Sequence, residues 1–73
     1  MNNLKRIRKE LGLTQSQLAK KAEISIRTIQ EYEQERLDIN GASGITLYKI
    51  AKALDCNMED LLELARSNEV SKT

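Results

Sequence analysis

A chain of 73 residues, 40% hydrophobic, allows one small domain with a modest core. It has no Trp, Phe, Pro or His and only two Tyr, so the core must be aliphatic, helices are favoured over strands, and the commonest general base and metal ligand is missing. The net charge of +1 excludes nothing by itself. Its distribution is uneven: residues 1 to 30 carry seven basic and two acidic side chains, residues 31 to 73 five basic and nine acidic. That polarity suits a face turned to an anionic polymer, and equally the solvated charge of any helical bundle.

Five helices are predicted. Helix 1 spans about Asn3 to Leu11, with Leu4, Ile7 and Leu11 on one stripe and Gly12 as terminator. Helix 2 opens at Thr14, with Gln17 three residues on, the spacing of a reciprocal capping box. It turns Leu18, Ala19 and Ala22 inward. Glu23-Ile24-Ser25 interrupts the run, and Ser25 suits the N-cap of helix 3, which buries Ile29 and Tyr32 and points Ile26, Arg27, Gln30 and Glu31 outward. Two short helices joined by so tight a turn describe a helix-turn-helix.

Residues 35 to 43, ERLDINGAS, form the longest connection, with Asn40, Gly41 and Ser43 as turn residues. Helix 4 spans about Gly44 to Leu54 and buries Leu47, Ile50, Ala51 and Leu54. After an Asp55-Cys56-Asn57 turn, helix 5 buries Met58, Leu61 and Leu62. A domain over residues 1–66 is expected, followed by a polar tail at 67–73. No apolar run approaches the roughly 18 residues of a membrane span, the N-terminus lacks the apolar core of a signal peptide, and the single Cys56 cannot close a disulfide within the chain. A cytoplasmic location without membrane contact is expected.

The stretch Ile7 to Glu33 resembles the repressor and Cro-type (Xre-like) helix-turn-helix family of bacterial and phage regulators. Ile7-Arg8, Gly12-Leu13-Thr14-Gln15, Leu18-Ala19, Ile24-Ser25, Ile29 and Tyr32-Glu33 carry the likeness. Ile50-Ala51-Lys52-Ala53-Leu54 and Asp60-Leu61-Leu62 extend it to the last two helices. The resemblance implies an all-α, five-helix, lambda-repressor-like DNA-binding domain. It also implies that Gln15 touches DNA, and that Arg8 of helix 1 pairs with Glu33 at the end of helix 3 as architecture rather than as a DNA contact. Two departures stand out. At Glu23 the family prefers Gly, because the backbone there tends to positive φ, and the loop after helix 3 is longer and less basic, with Arg36 its one cation.

A recognition helix places its N-terminal residues near base edges. Arg27 can pair with guanine O6 and N7, Gln30 with adenine N6 and N7, and Ile26 can pack on a thymine methyl. Thr28 is a further base-contact candidate. Glu31 can accept from cytosine N4, or can repel a phosphate. Gln15 lies in the first turn of helix 2, which favours an anion, and Ser25 also opens a helix. Ser43 and Thr46, at the start of helix 4, are candidate phosphate contacts. For each of these the alternative is a solvent-exposed or capping residue.

Catalysis finds no support. Cys56 has no His or basic cluster near it in sequence to activate it, and Glu59, Asp60 and Glu63 read better as a solvated face than as a metal site. No catalytic residue, metal or cofactor is expected. The expected function is a repressor-like, sequence-specific regulator that binds double-stranded DNA as a homodimer on a palindromic operator. Cys56, Met58, Leu62 and Leu64 are expected at the dimer interface, because no other segment remains for that role. The alternative is an antitoxin-like module whose main ligand is a protein partner, which the acidic second half would suit.

Overall fold

The computed structural model describes residues 3–63. Four α-helices follow in order: α1 Leu4–Glu10, α2 Gln15–Ala22, α3 Ile26–Glu33 and α4 Gly44–Leu54. Single 3₁₀ turns, Ile39–Gly41 and Met58–Asp60, flank α4. Among the described residues there is no strand.

Helix starts follow local chemistry. Thr14 Oγ1 accepts from the Gln17 backbone N–H at 3.0 Å, and Gln17 Oε1 accepts from the Thr14 N–H at 2.8 Å, so two orphan donors at the head of α2 are satisfied reciprocally. Ser25 Oγ accepts from the Arg27 N–H at 3.0 Å at the head of α3. Ser43 Oγ accepts from the Thr46 N–H at 3.2 Å at the head of α4. Asn3 makes no such cap; its amide donates instead to the Asp60 carbonyl at 3.0 Å and ties α1 to the last turn.

Helix ends share one solution. Gly12, Glu23, Glu35 and Asp55 all take left-handed backbone, with φ of 73°, 59°, 62° and 55°. After each, two backbone N–H groups fold back onto the last turn, as when Gly12 N–H reaches Lys9 O and Leu13 N–H reaches Arg8 O. The same pair of bonds closes α2 (Glu23 to Lys20, Ile24 to Ala19), α3 (Glu35 to Tyr32, Arg36 to Glu31) and α4 (Asp55 to Lys52, Cys56 to Ala51). Only the first of these positions is glycine. The others carry the cost of a Cβ in left-handed backbone, roughly 1–2 kcal/mol each.

The core draws three side chains from α2 and five from α4, with one or two from α1, α3 and the first 3₁₀ turn. Leu4, Leu18, Ile29, Ile39, Ile50, Leu54 and Leu61 are at most 2% exposed, and each contributes roughly 1.5–3 kcal/mol by leaving water. Ala19, Ala22, Tyr32, Leu47, Ala51 and Ala53 complete the cluster. α2 packs on both α3 and α4, α1 packs on α3, and α4 packs on the last 3₁₀ turn.

Two expectations need correction. The fifth helix is absent among the described residues: only the 3₁₀ turn Met58–Asp60 forms, closed by Asp60 Oδ2 accepting from the Asn57 N–H at 2.9 Å. An α-helix would need the Glu63 N–H for the Glu59 carbonyl. Instead that N–H goes to Asn40 Oδ1 at 2.8 Å, while Asn40 Nδ2 donates to the Glu63 carbonyl at 2.9 Å. Leu11 leaves the α1 stripe and is 51% exposed, because the chain turns away at Gly12; Arg8 takes the inward place. The connection after α3 turns at Asn40 and Gly41 as expected, with Asp38 Oδ1 accepting from the Asn40 N–H, and this turn buries Ile39. Leu64 and the tail at 67–73 lie outside the described residues.

Candidate nucleic-acid interface

The left-handed Glu23 and the bond from Ile24 N–H to Ala19 O set the angle between α2 and α3. Ile29 and Tyr32 then anchor α3 to the core, at 0% and 7% exposure, and the opposite face stays at the surface. Ile26 and Arg27 are exposed, and Thr28, Gln30 and Glu31 are half-buried. The Arg27 side chain is 83% exposed, and its Nε lies 3.5 Å from Glu31 Oε2, one helical turn on. The end of α3 brings a further cation to this face. Arg36 joins Arg27, Gln30, Glu31 and Gln34 around one open, strongly polar cleft. The sequence marks Arg36 as the loop's one cation, but its place beside α3 follows from the left-handed Glu35, which folds the chain back so that Arg36 N–H meets Glu31 O at 2.9 Å.

Behind α3 lies a second polar group. Arg8 Nε donates to Glu33 Oε2 at 2.6 Å and Nη2 to Oε1 at 3.0 Å, a bidentate pair, while Nη1 donates to the Leu13 carbonyl at 2.7 Å. The two side chains are 9% and 2% exposed. Gln15 Nε2 also donates to Glu33 Oε1, at 3.0 Å. One carboxylate thus joins α1, α2 and α3. Burial by itself would push the Glu33 carboxyl up. Hydrogen bonds from Arg8 and Gln15, with the charges of Arg8 and Lys5, outweigh that and hold it below the ordinary carboxylate range. The same hydrogen bond raises Arg8 against the opposing effect of burial.

The remaining candidates fall elsewhere. Ser43 Oγ donates to Thr46 Oγ1 at 2.9 Å, so the two hydroxyls are engaged with each other at the head of α4. Ser25 is exposed and already caps α3. Cys56, Met58 and Leu62 are half-buried and packed against the core. Cys56 and Met58 also line a shallow groove with Tyr48, Lys52 and Glu59. Burial, aided by the charges of Asp60 and Asp55, pushes the Cys56 thiol above its ordinary value. Among the described residues no three His, Cys, Asp or Glu side chains gather as a metal site, and no helix is long and apolar enough to cross a membrane.

Residues 4–61 match the model of the helix-turn-helix family. No curated protein matches the chain.

Proposed function

Since this chain belongs to the helix-turn-helix family of DNA-binding domains, of the Xre and lambda-repressor-like kind, we propose that it is a sequence-specific transcriptional repressor acting in the cytoplasm. Two copies bind a palindromic operator, each laying α3 in the major groove. The observation that carries this reading is the exposure of Ile26 and Arg27 at the start of α3, while Ile29 and Tyr32 hold the helix to the core. Arg27 reads a guanine, Ile26 packs on a thymine methyl, and Thr28 and Gln30 contact the neighbouring bases. Glu31, which is paired with Arg27, borders this contact. Gln15, Ser25, Ser43 and Thr46 face phosphates from the heads of α2, α3 and α4, where helix dipoles favour an anion.

One recognition helix reads only a few base pairs, so the proposal requires a second copy. Cys56, Met58 and Leu62 offer apolar surface for it beside the groove that Tyr48 also lines, and Leu64, the fourth residue of the proposed interface, lies outside the described residues. Selection of bound sequences from random duplex DNA tests the reading. The expected outcome is a two-fold-symmetric sequence whose half-site centres lie one DNA turn apart, about 34 Å. Recovery of no preferred sequence would overturn it.

A protein partner as main ligand, in the manner of an antitoxin, has one observation in its favour. Ile45 and Tyr48 are 61% and 50% exposed on α4, away from the core. Absence of any duplex binding at low salt, together with co-purification of a second protein, would favour that reading.

A further inference from the structure

The hydrogen bond from Gln15 to Glu33 does something that the Arg8–Glu33 pair alone does not require. A carboxylate only accepts, so the Gln15 amide must turn its nitrogen, not its oxygen, to Glu33. Either amide orientation would be open to an unanchored glutamine; here the buried carboxylate decides it. One Nε2–H is taken, and the second is left. The first-turn backbone N–H groups of Gln15 and Ser16 are likewise without an acceptor in the helix. Three donors at the head of α2 match a group that only accepts, which is a phosphate oxygen. The negative charge of Glu33, 3.0 Å behind Gln15, would repel such a group if it stood alone, but the bidentate Arg8 neutralises it.

We infer that Glu33 is a positioning residue for DNA binding, holding the Gln15 amide with its free N–H ready for a backbone phosphate. The inference rests on the DNA-binding reading above. Glu33 itself touches no DNA. Its effect passes through Gln15, and Arg8 makes that effect compatible with an anion. In Glu33→Gln an amide oxygen kept toward Arg8 Nε puts the NH₂ where Oε1 stood, facing both Arg8 Nη2 and Gln15, so the Gln15 amide can no longer donate there and its preset orientation toward the phosphate is lost.

The test uses the full chain and a duplex carrying the sequence that the wild type selects. Wild type, Gln15→Ala, Glu33→Gln and the double variant are compared by affinity per folded molecule and by phosphate-ethylation interference. Gln15→Ala and Glu33→Gln should each lose about tenfold in affinity, the scale of one hydrogen bond to a charged group. Both should lose interference at the same phosphate of each half-site, and the double variant should bind no worse than Gln15→Ala. Independent losses that multiply, or retained interference in Glu33→Gln, would overturn the inference while leaving the DNA reading intact. Failure of the wild type to bind any duplex would sink the DNA reading first. If Glu33→Gln does not fold, nuclear magnetic resonance of the wild-type Gln15 side-chain amide decides. One amide proton shifted from the free-glutamine position and slow to exchange is expected; both protons at free-glutamine shifts with fast exchange would overturn the inference.

Discussion

Arg27 and Glu31 form an ion pair along α3, Nε to Oε2 at 3.5 Å, in which the cation is 83% exposed and the carboxylate 21%. The guanidinium, though paired, remains largely open to solvent. The pair adds little to stability, because exposed i,i+4 pairs are worth about 0.3–0.5 kcal/mol. Its consequence is electrostatic: each Arg27 brought to DNA brings a carboxylate with it. Glu31→Gln should therefore leave the urea midpoint nearly unchanged and strengthen binding to mixed-sequence duplex at low salt. Unchanged or weaker non-specific affinity in a gel-shift titration would contradict this account of Glu31.

Glu33 behaves differently, because its side chain is 2% exposed and accepts from both Arg8 and Gln15. Removing it by Glu33→Ala leaves Arg8 charged and buried, at a cost of roughly 3–5 kcal/mol. A pH dependence follows from the depressed carboxyl. The unfolded chain binds the proton more readily than the folded one, so the stabilisation is full above the ordinary glutamate range. It is lost as pH falls below that range and through the lower folded value. Stability measured by urea from pH 6 to pH 2 should fall more steeply for the wild type than for Glu33→Gln. Parallel curves would contradict the assignment.

At Glu23 the backbone is left-handed, and the residue is exposed. Glu23→Gly removes the Cβ penalty at no loss of packing. It should raise stability by about 1 kcal/mol, net of the greater flexibility that glycine gives the unfolded chain. A rise of a few degrees in Tm, with sequence preference unchanged, is the expected result. A lower Tm would contradict the reading of this turn.

Much of the fold was legible because its signals are local. Thr14 with Gln17, Ser25 and Ser43 each bond backbone groups within three residues, so the pattern of hydroxyls and amides marks the helix starts directly. Helix ends were harder to read, since Glu35 has no feature that announces a left-handed residue. What escaped was long-range. Asn57 and Asp60 close a turn where helix 5 was expected, but Asn40, 23 residues before Glu63, takes the Glu63 N–H, and among the described residues no α-helix follows. The cluster of Arg8, Gln15 and Glu33 was half legible. The resemblance paired Arg8 with Glu33 and assigned Gln15 to DNA, whereas the bond between Gln15 and Glu33 depends on a packing that no local pattern carries.

Ile39 is the clearest of these omissions. It sits in a polar connection with no helical or strand period around it, yet it is 2% exposed in the core. Ile39→Ala should cost about 2–5 kcal/mol, as for other fully buried aliphatic side chains. Chemical denaturation measures it, and a loss below about 1 kcal/mol would mean that the connection does not pack as described.

The central claim is that the exposed start of α3 reads base sequence, with Arg27 as its chief reader. The most direct measurement is a parallel selection from random duplex DNA by the wild type and by Arg27→Ala. The account predicts that the variant still binds DNA but loses its preference at one guanine of each half-site, by roughly 1–3 kcal/mol, while other positions keep theirs. Identical preferences for the two proteins would contradict it.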